Sequence, residues 1–86
     1  MNKIILRPGQ LCKKVRFLST GEKAPDIVYG WERSPNAELH FFDNASQHYI
    51  SKENILLYLE RYNETWSVVL YNGKKVYTLS IYLEAL

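Results

Sequence analysis

The chain has 86 residues, of which 47% are hydrophobic, 14% aromatic and 23% charged, and its formal net charge is +2. This composition indicates a single domain over residues 1–86, and it excludes disorder over most of the chain and a membrane helix of about 20 apolar residues. Because Cys12 is the only cysteine, an internal disulfide is excluded, which favours a reducing compartment; we predict a cytoplasmic protein that requires no cofactor.

Basic side chains are concentrated in the first quarter of the chain. Residues 1–21 contain five basic side chains and no acidic one, whereas the remaining residues contain six basic and nine acidic side chains. A solvated strand face that happens to be basic would give this pattern, and so would an anion-binding surface. Both interpretations stay open at this point.

Turn residues recur along the first half of the chain, which predicts short strands. Four strands are predicted there: CKKVRFL (12–18), DIVYGWE (26–32), ELHFFDN (38–44) and QHYI (47–50). Side chains alternate along a strand, so Lys14 and Arg16 are expected on one face of the first strand, and Val15 and Phe17 on the other. Gly30, in the middle of the second strand, predicts a bulge or the close approach of another backbone.

The segment SKENILLYLERY (51–62) has the pattern of a helix. Ser51 can cap a helix N-terminus, and Glu53 in the first turn suits the helix dipole. Ile55, Leu59 and Tyr62 follow the i, i+4, i+7 spacing of a buried helical stripe. A buried strand over Ile55–Leu59 is the alternative, because short apolar runs are ambiguous.

The segment TWSVVLYNGKKVYTLSIYL (65–83) predicts a β-hairpin. Asn72-Gly73 is a strong signal for a two-residue type I′ turn, in which both residues have positive φ. This turn pairs Tyr71 with Lys74 and fixes every pair beyond it. The predicted core face then carries the larger side chains: Trp66, Val68, Leu70, Tyr77 and Leu79. Tyr71 and Tyr82 are expected on the opposite, exposed face.

Residues with catalytic or metal-binding chemistry are few. Cys12 lies beside two lysines that could activate a thiol, but a small half-buried strand residue is the more common role for such a cysteine. His40, Asp43 and His48 match no standard spacing of metal ligands. No phosphate-binding glycine loop and no nucleophile elbow is present. We therefore predict no catalytic residues, no metal site and no enzymatic activity.

The sequences RPGQLCKKVRF, DIVYGWE, ELHFFD and HYISKENI, with the turns between them, resemble small SH3-like barrels over about residues 6–55. The resemblance implies a platform that binds nucleic acid or peptides and is rarely an enzyme. By its general character the chain also resembles small phage- and plasmid-encoded accessory proteins that inhibit or bridge host factors.

These observations predict an α+β fold, a small curved antiparallel sheet of about five strands with one helix, and an all-β SH3-like barrel as the alternative. The predicted function is non-enzymatic binding of RNA or another polyanion by a basic sheet face. Its phosphate-binding residues would be Lys13, Lys14, Arg16, Lys74 and Lys75, with Tyr71 and Tyr82 stacking on bases. The alternative is a protein–protein inhibitor or adaptor that uses its aromatic surface, as a monomer or a homodimer. No membrane partner is expected.

Overall fold

The computed structural model describes residues 6–35 and 47–86. The described residues form one antiparallel sheet of seven strands, with one 3-10 turn at Ser80–Tyr82 and no α-helix. The strands are β1 Leu11–Lys14, β2 Ile27–Trp31, β3 Gln47–Ser51, β4 Leu56–Arg61, β5 Trp66–Tyr71, β6 Lys74–Leu79 and β7 Leu83–Ala85. Their order in the sheet is β3-β2-β6-β5-β4-β1-β7, and the sheet curls into a half-barrel. The predicted α+β fold with about five strands and one helix is therefore wrong, and the chain is nearly all β.

The predicted helix over residues 51–62 is replaced by a turn and strand β4. The backbone N–H of Ser51 donates to Asn54 Oδ1 at 2.7 Å, and the N–H of Asn54 donates to the Ser51 carbonyl at 3.1 Å. These two bonds close a tight turn in place of a helix cap. In β4 Leu56 and Tyr58 are buried while Ile55 is exposed, so the burial follows a period of two rather than the helical spacing. The alternative, a strand over Ile55–Leu59, was the better interpretation.

The hairpin of β5 and β6 has the predicted register, from Tyr71 opposite Lys74 to Trp66 opposite Leu79. Asn72 has φ 51° and Gly73 has φ 77°, as a type I′ turn requires. The predicted core face is wrong, however, because the hydrophobic core lies on the opposite face. Its hairpin members are Val69 and Val76, and the small polar side chains Ser67 and Thr78 are buried on the same face; all four are at most 2% exposed.

The core lies on one face of the curled sheet, which we call the inner face. It is formed by Cys12, Val28, Ile50, Leu56, Tyr58, Val69, Val76 and Leu83. Space inside the curl is limited near Gly30, where an added Cβ would lie 3.1 Å from Val76 and 3.3 Å from Ile50. The predicted close approach at Gly30 is thus made by two core side chains and not by another backbone.

Two of the four strands predicted in the first half of the chain are confirmed, and the C-terminal segment pairs with β1. The predicted strands over 26–32 and 47–50 are confirmed as β2 and β3, whereas the first predicted strand ends at Lys14, and the prediction over 38–44 lies outside the described residues. Strand β7 pairs with β1, so the apolar C-terminal segment is docked on the sheet. No helix within residues 6–35 and 47–86 is long and apolar enough to cross a membrane.

Candidate binding surface

The five cations predicted to form one basic face lie in two separate regions. Lys13 and Lys14 belong to β1 and Lys74 and Lys75 to β6, with β4 and β5 between them. Lys74 Nζ lies 3.7 Å from Glu32 Oε2, just after the C-terminal end of β2. Arg16 instead lines a groove beside Ile27, the first residue of β2. The expected gathering of these cations on one face is not found, and nucleic-acid binding by them stays a prediction.

The environments of the β1 cations also differ from the expected exposed row. Lys14 is only 5% exposed, and its Nζ donates to the Val15 carbonyl at 2.8 Å. Lys13 Nζ lies 4.0 Å from Glu84 Oε2 on the neighbouring strand β7. Arg16 is exposed, and so is Phe17, which was expected on a buried face. The alternation fails here because β1 ends at Lys14, so the chain beyond it no longer follows the strand period.

Tyr71 and Tyr82, the two predicted stacking residues, are partly buried and pack against the core. The hydroxyl of Tyr71 donates to the backbone oxygen of Tyr49 at 3.0 Å. The predicted exposure of both rings is therefore wrong. The rings that are exposed on this part of the sheet belong to Tyr29 and Tyr49.

Four large exposed side chains lie on β2, on β3 and in the groove beside them, and we call them the apolar stripe: Phe17 (61% exposed), Ile27 (48%), Tyr29 (46%) and Tyr49 (60%). Ile27 and Tyr29 are two residues apart on β2 and share its outer face. Tyr29 is paired with Tyr49 on β3, and their rings meet edge to face with centroids 5.3 Å apart. Phe17 is included because it lines the same groove as Ile27. Exposed apolar side chains grouped in this way mark interaction sites more often than scattered single residues do.

A groove lies at the Phe17 end of the apolar stripe, and we call it the basic groove. It consists of two adjoining depressions of about 510 and 540 Å³ that share Phe17 and four charged side chains. Five basic and three acidic side chains line it: Lys13, Lys14, Arg16, Lys23, Lys52, Asp26, Glu53 and Glu84. The basic groove thus carries an excess of positive charge beside an exposed aromatic ring.

A second charged group lies at the opposite end of β2. His48 Nε2 donates to Glu32 Oε2 at 2.7 Å, and Lys74 approaches the same oxygen. The hydrogen bond from His48 is the main reason that the pKa of Glu32 lies below its ordinary value; desolvation opposes this effect, and the positive charge of Lys74 lowers the pKa further. Lys74, one of the predicted phosphate-binding residues, therefore lies beside the carboxylate of Glu32.

Acidification is expected to remove the stabilisation that Glu32 provides. Because the pKa of Glu32 is depressed in the folded state, its contribution is present above the pKa of an unfolded glutamate and is lost as the pH falls through the folded-state pKa. The free energy of unfolding of the wild type should therefore fall more steeply than that of Glu32→Gln as the pH is lowered below the ordinary pKa of a glutamate. Urea unfolding at a series of pH values measures both, and parallel curves would contradict the expectation.

Cys12, considered above as a reactive thiol, is a fully buried core residue of β1. Burial raises its pKa to about 11, so that almost no thiolate is present near neutral pH. We expect a thiol reagent such as Ellman's reagent to label the native protein far more slowly than the urea-unfolded protein, which serves as the control. Labelling at equal rates in the two states would show that Cys12 is accessible.

The described residues contain no group of three or more His, Cys, Asp or Glu side chains that could hold a metal ion. His40 and Asp43, two of the candidates weighed above, lie outside the described residues. The candidate binding features of residues 6–35 and 47–86 are the apolar stripe, the basic groove and the Glu32 group. Comparisons with protein-family models, with curated proteins and with solved structures found no match to this chain.

Proposed function

We propose that this protein is a non-enzymatic adaptor or inhibitor that binds another protein through the apolar stripe. The observation that carries the proposal is the exposure of four large side chains on β2, on β3 and in the groove at the start of β2. Removing apolar surface from water contributes roughly 25 cal/mol per Å², and aromatic side chains dominate the energetics of protein interfaces. The proposed target is a cytoplasmic protein that acts as a host factor or a defence factor.

The charge distribution supports a protein partner over RNA. A polyanion needs accessible cations along its path, because each phosphate contact contributes through an exposed Lys or Arg. Lys74 lies beside Glu32, and the two lysine pairs are three strands apart in the sheet. The tyrosines expected to stack on bases are packed against the core.

The size of the apolar stripe favours a segment of a partner over a second copy of this chain. A stable two-fold interface takes roughly 20–30 residues from each side. The apolar stripe offers four exposed apolar side chains, which suits the few anchor residues of a loop or extended segment. If the chain instead forms a homodimer through the same surface, sedimentation of the purified protein would reveal it.

The experiment is affinity capture from a lysate of the organism that encodes the chain, after nuclease treatment and at high salt. The wild type is compared with the double variant Tyr29→Ser, Tyr49→Ser. The matched control is Ile55→Ser, Ile81→Ser, which removes two apolar side chains that are at least as exposed as the two tyrosines but lie outside the apolar stripe. All three proteins are first checked for the same circular dichroism spectrum.

We expect the wild type and the control variant to retain the same protein, and the variant of the apolar stripe to lose it. Retention by all three proteins would reject the apolar stripe as the binding surface. Loss of every captured protein after nuclease treatment would favour binding of a polyanion over binding of a protein.

A further inference from the structure

The floor of the basic groove contains a buried cation that has no anionic partner among the described residues. Lys14 is 5% exposed, and its Nζ makes one hydrogen bond, to the Val15 carbonyl at 2.8 Å. An ammonium group has three N–H donors, and a charge removed from water is stable only where other groups replace its hydration. No carboxylate of the described residues lies within 4.0 Å of Lys14.

The rim of the basic groove adds two exposed cations that also lack a carboxylate partner among the described residues. Arg16 and Lys52 line both depressions, and neither forms an ion pair with another described residue. Lys13 and Lys23 each approach a carboxylate only at the long distances of 4.0 and 3.9 Å. The groove can therefore accept an anion from outside, and a guanidinium such as that of Arg16 binds a carboxylate by two parallel hydrogen bonds.

The apolar and acidic residues of the groove favour carboxylates on a polypeptide over the phosphates of a nucleic acid. Ile27 lies beside Phe17 in the groove, and an aliphatic side chain gives no stacking surface for a base. Asp26, Glu53 and Glu84 would repel the closely spaced charges of a phosphate backbone. A peptide can place one or two carboxylates against the cations and an apolar side chain against Phe17.

We propose that the basic groove binds carboxylate side chains of the partner, so that the segment bound along the apolar stripe is acidic and interspersed with apolar residues. This proposal rests on the proposed function, since the same partner segment continues from the basic groove onto the apolar stripe. Lys14 provides the buried charge at the centre of the contact, and Arg16 and Lys52 close over the carboxylate from the rim.

The test is a titration of the ¹⁵N-labelled 86-residue chain followed by NMR. Three probes are used: a peptide of alternating Glu and Leu, the same peptide with Gln in place of Glu, and an oligouridylate. We expect the Glu peptide to shift the amide signals of Arg16, Phe17 and Lys52, and the Gln peptide to bind at least about tenfold more weakly. Absence of shifts at these amides up to millimolar Glu peptide would overturn the proposal, and so would larger shifts with the oligouridylate.

Two charge-reversal variants provide the matched comparison. Arg16→Glu, Lys52→Glu reverses the rim of the groove, and Lys74→Glu, Lys75→Glu reverses the hairpin cations; both change the net charge from +2 to −2. The groove variant should weaken the Glu peptide at least about tenfold and the hairpin variant by less than about twofold. Equal weakening would indicate a general charge effect and reject a specific site.

Lys14→Met, which keeps the apolar stem, should also weaken binding, and unchanged affinity would remove Lys14 from the contact.

The outcomes for the groove and for the proposed function are distinguishable. If the captured partner depends on Tyr29 and Tyr49 but binds the groove variant normally, the proposed function stands and the carboxylate site is rejected. If the partner is lost equally from the control variant Ile55→Ser, Ile81→Ser, the proposed function itself fails.

Discussion

Replacement of Leu56 by alanine is expected to lower the free energy of unfolding by about 2–5 kcal/mol, which is the cost of emptying a buried leucine site. Leu56 is fully buried in the core, on a strand held between β1 and β5. The adjacent replacement Ile55→Ala should cost less than about 0.5 kcal/mol, because Ile55 is 60% exposed. Urea unfolding followed by tryptophan fluorescence measures both values.

This pair of substitutions separates the strand from the helix predicted for the same residues. A helix would bury Ile55 together with Leu59 and Tyr62, so Ile55→Ala would then be the costly change. A larger loss of stability for Ile55→Ala than for Leu56→Ala would contradict the strand β4 and the half-barrel built on it.

The second large effect is expected at the centre of the apolar stripe. Once a protein partner has been captured, Tyr29→Ala and Tyr49→Ala should each weaken its affinity by about 30-fold, which corresponds to about 2 kcal/mol for an anchor residue of an interface. The fold should survive both changes. Thr78 Oγ1 donates to Tyr29 and the Tyr71 hydroxyl donates to Tyr49, and both bonds end on backbone oxygens that alanine retains.

Titration calorimetry with the purified partner measures these affinities. Ile81→Ala is the control, since Ile81 is 63% exposed at the 3-10 turn and lies outside the apolar stripe. An effect of Ile81→Ala as large as that of Tyr49→Ala would indicate that the binding surface lies elsewhere. Unchanged affinity for both tyrosine variants would reject the apolar stripe.

The hairpin was predictable because its information is local. Asn72-Gly73 selects a turn with positive φ at both positions, and this turn sets all six pairs between β5 and β6. Which hairpin face is inside was not predictable from the same pattern, because both faces carry apolar side chains. The curl of the sheet decides it: small residues such as Val69 and Val76 fit the inner face, while Trp66 lies on the outer face, against Trp31.

The segment after Ser51 was predicted wrongly because two local signals compete there. Ser51 has the chemistry of a helix cap, but Asn54 three residues later binds its N–H and closes a turn instead. The segment that follows, residues 55–62, has apolar side chains both at the helical spacing and at the two-residue spacing of a strand. Pairing with β1, which comes from a distant part of the chain, and with the next strand β5 selects the extended form.

The candidate site was predicted only in part for the same reason. Lys13, Lys14 and Arg16 are close in sequence and do line one groove, but Lys74 and Lys75 could be assigned to it only by guessing the strand order. Because side chains alternate along a strand, DIVYGWE places Ile27 and Tyr29 on one face, and both are exposed on β2. Tyr49 joins them through the pairing of β3 with β2, which the separate patterns of the two strands do not specify.

The most direct test of the proposed function is photocrosslinking in cells, with benzoylphenylalanine placed at Tyr49 in one protein and at Ile81 in another. The two positions are almost equally exposed, at 60% and 63%. A discrete crosslinked protein from position 49 that is absent from position 81 is the expected result. The same products from both positions, or nucleic-acid adducts alone from position 49, would contradict a protein partner at the apolar stripe.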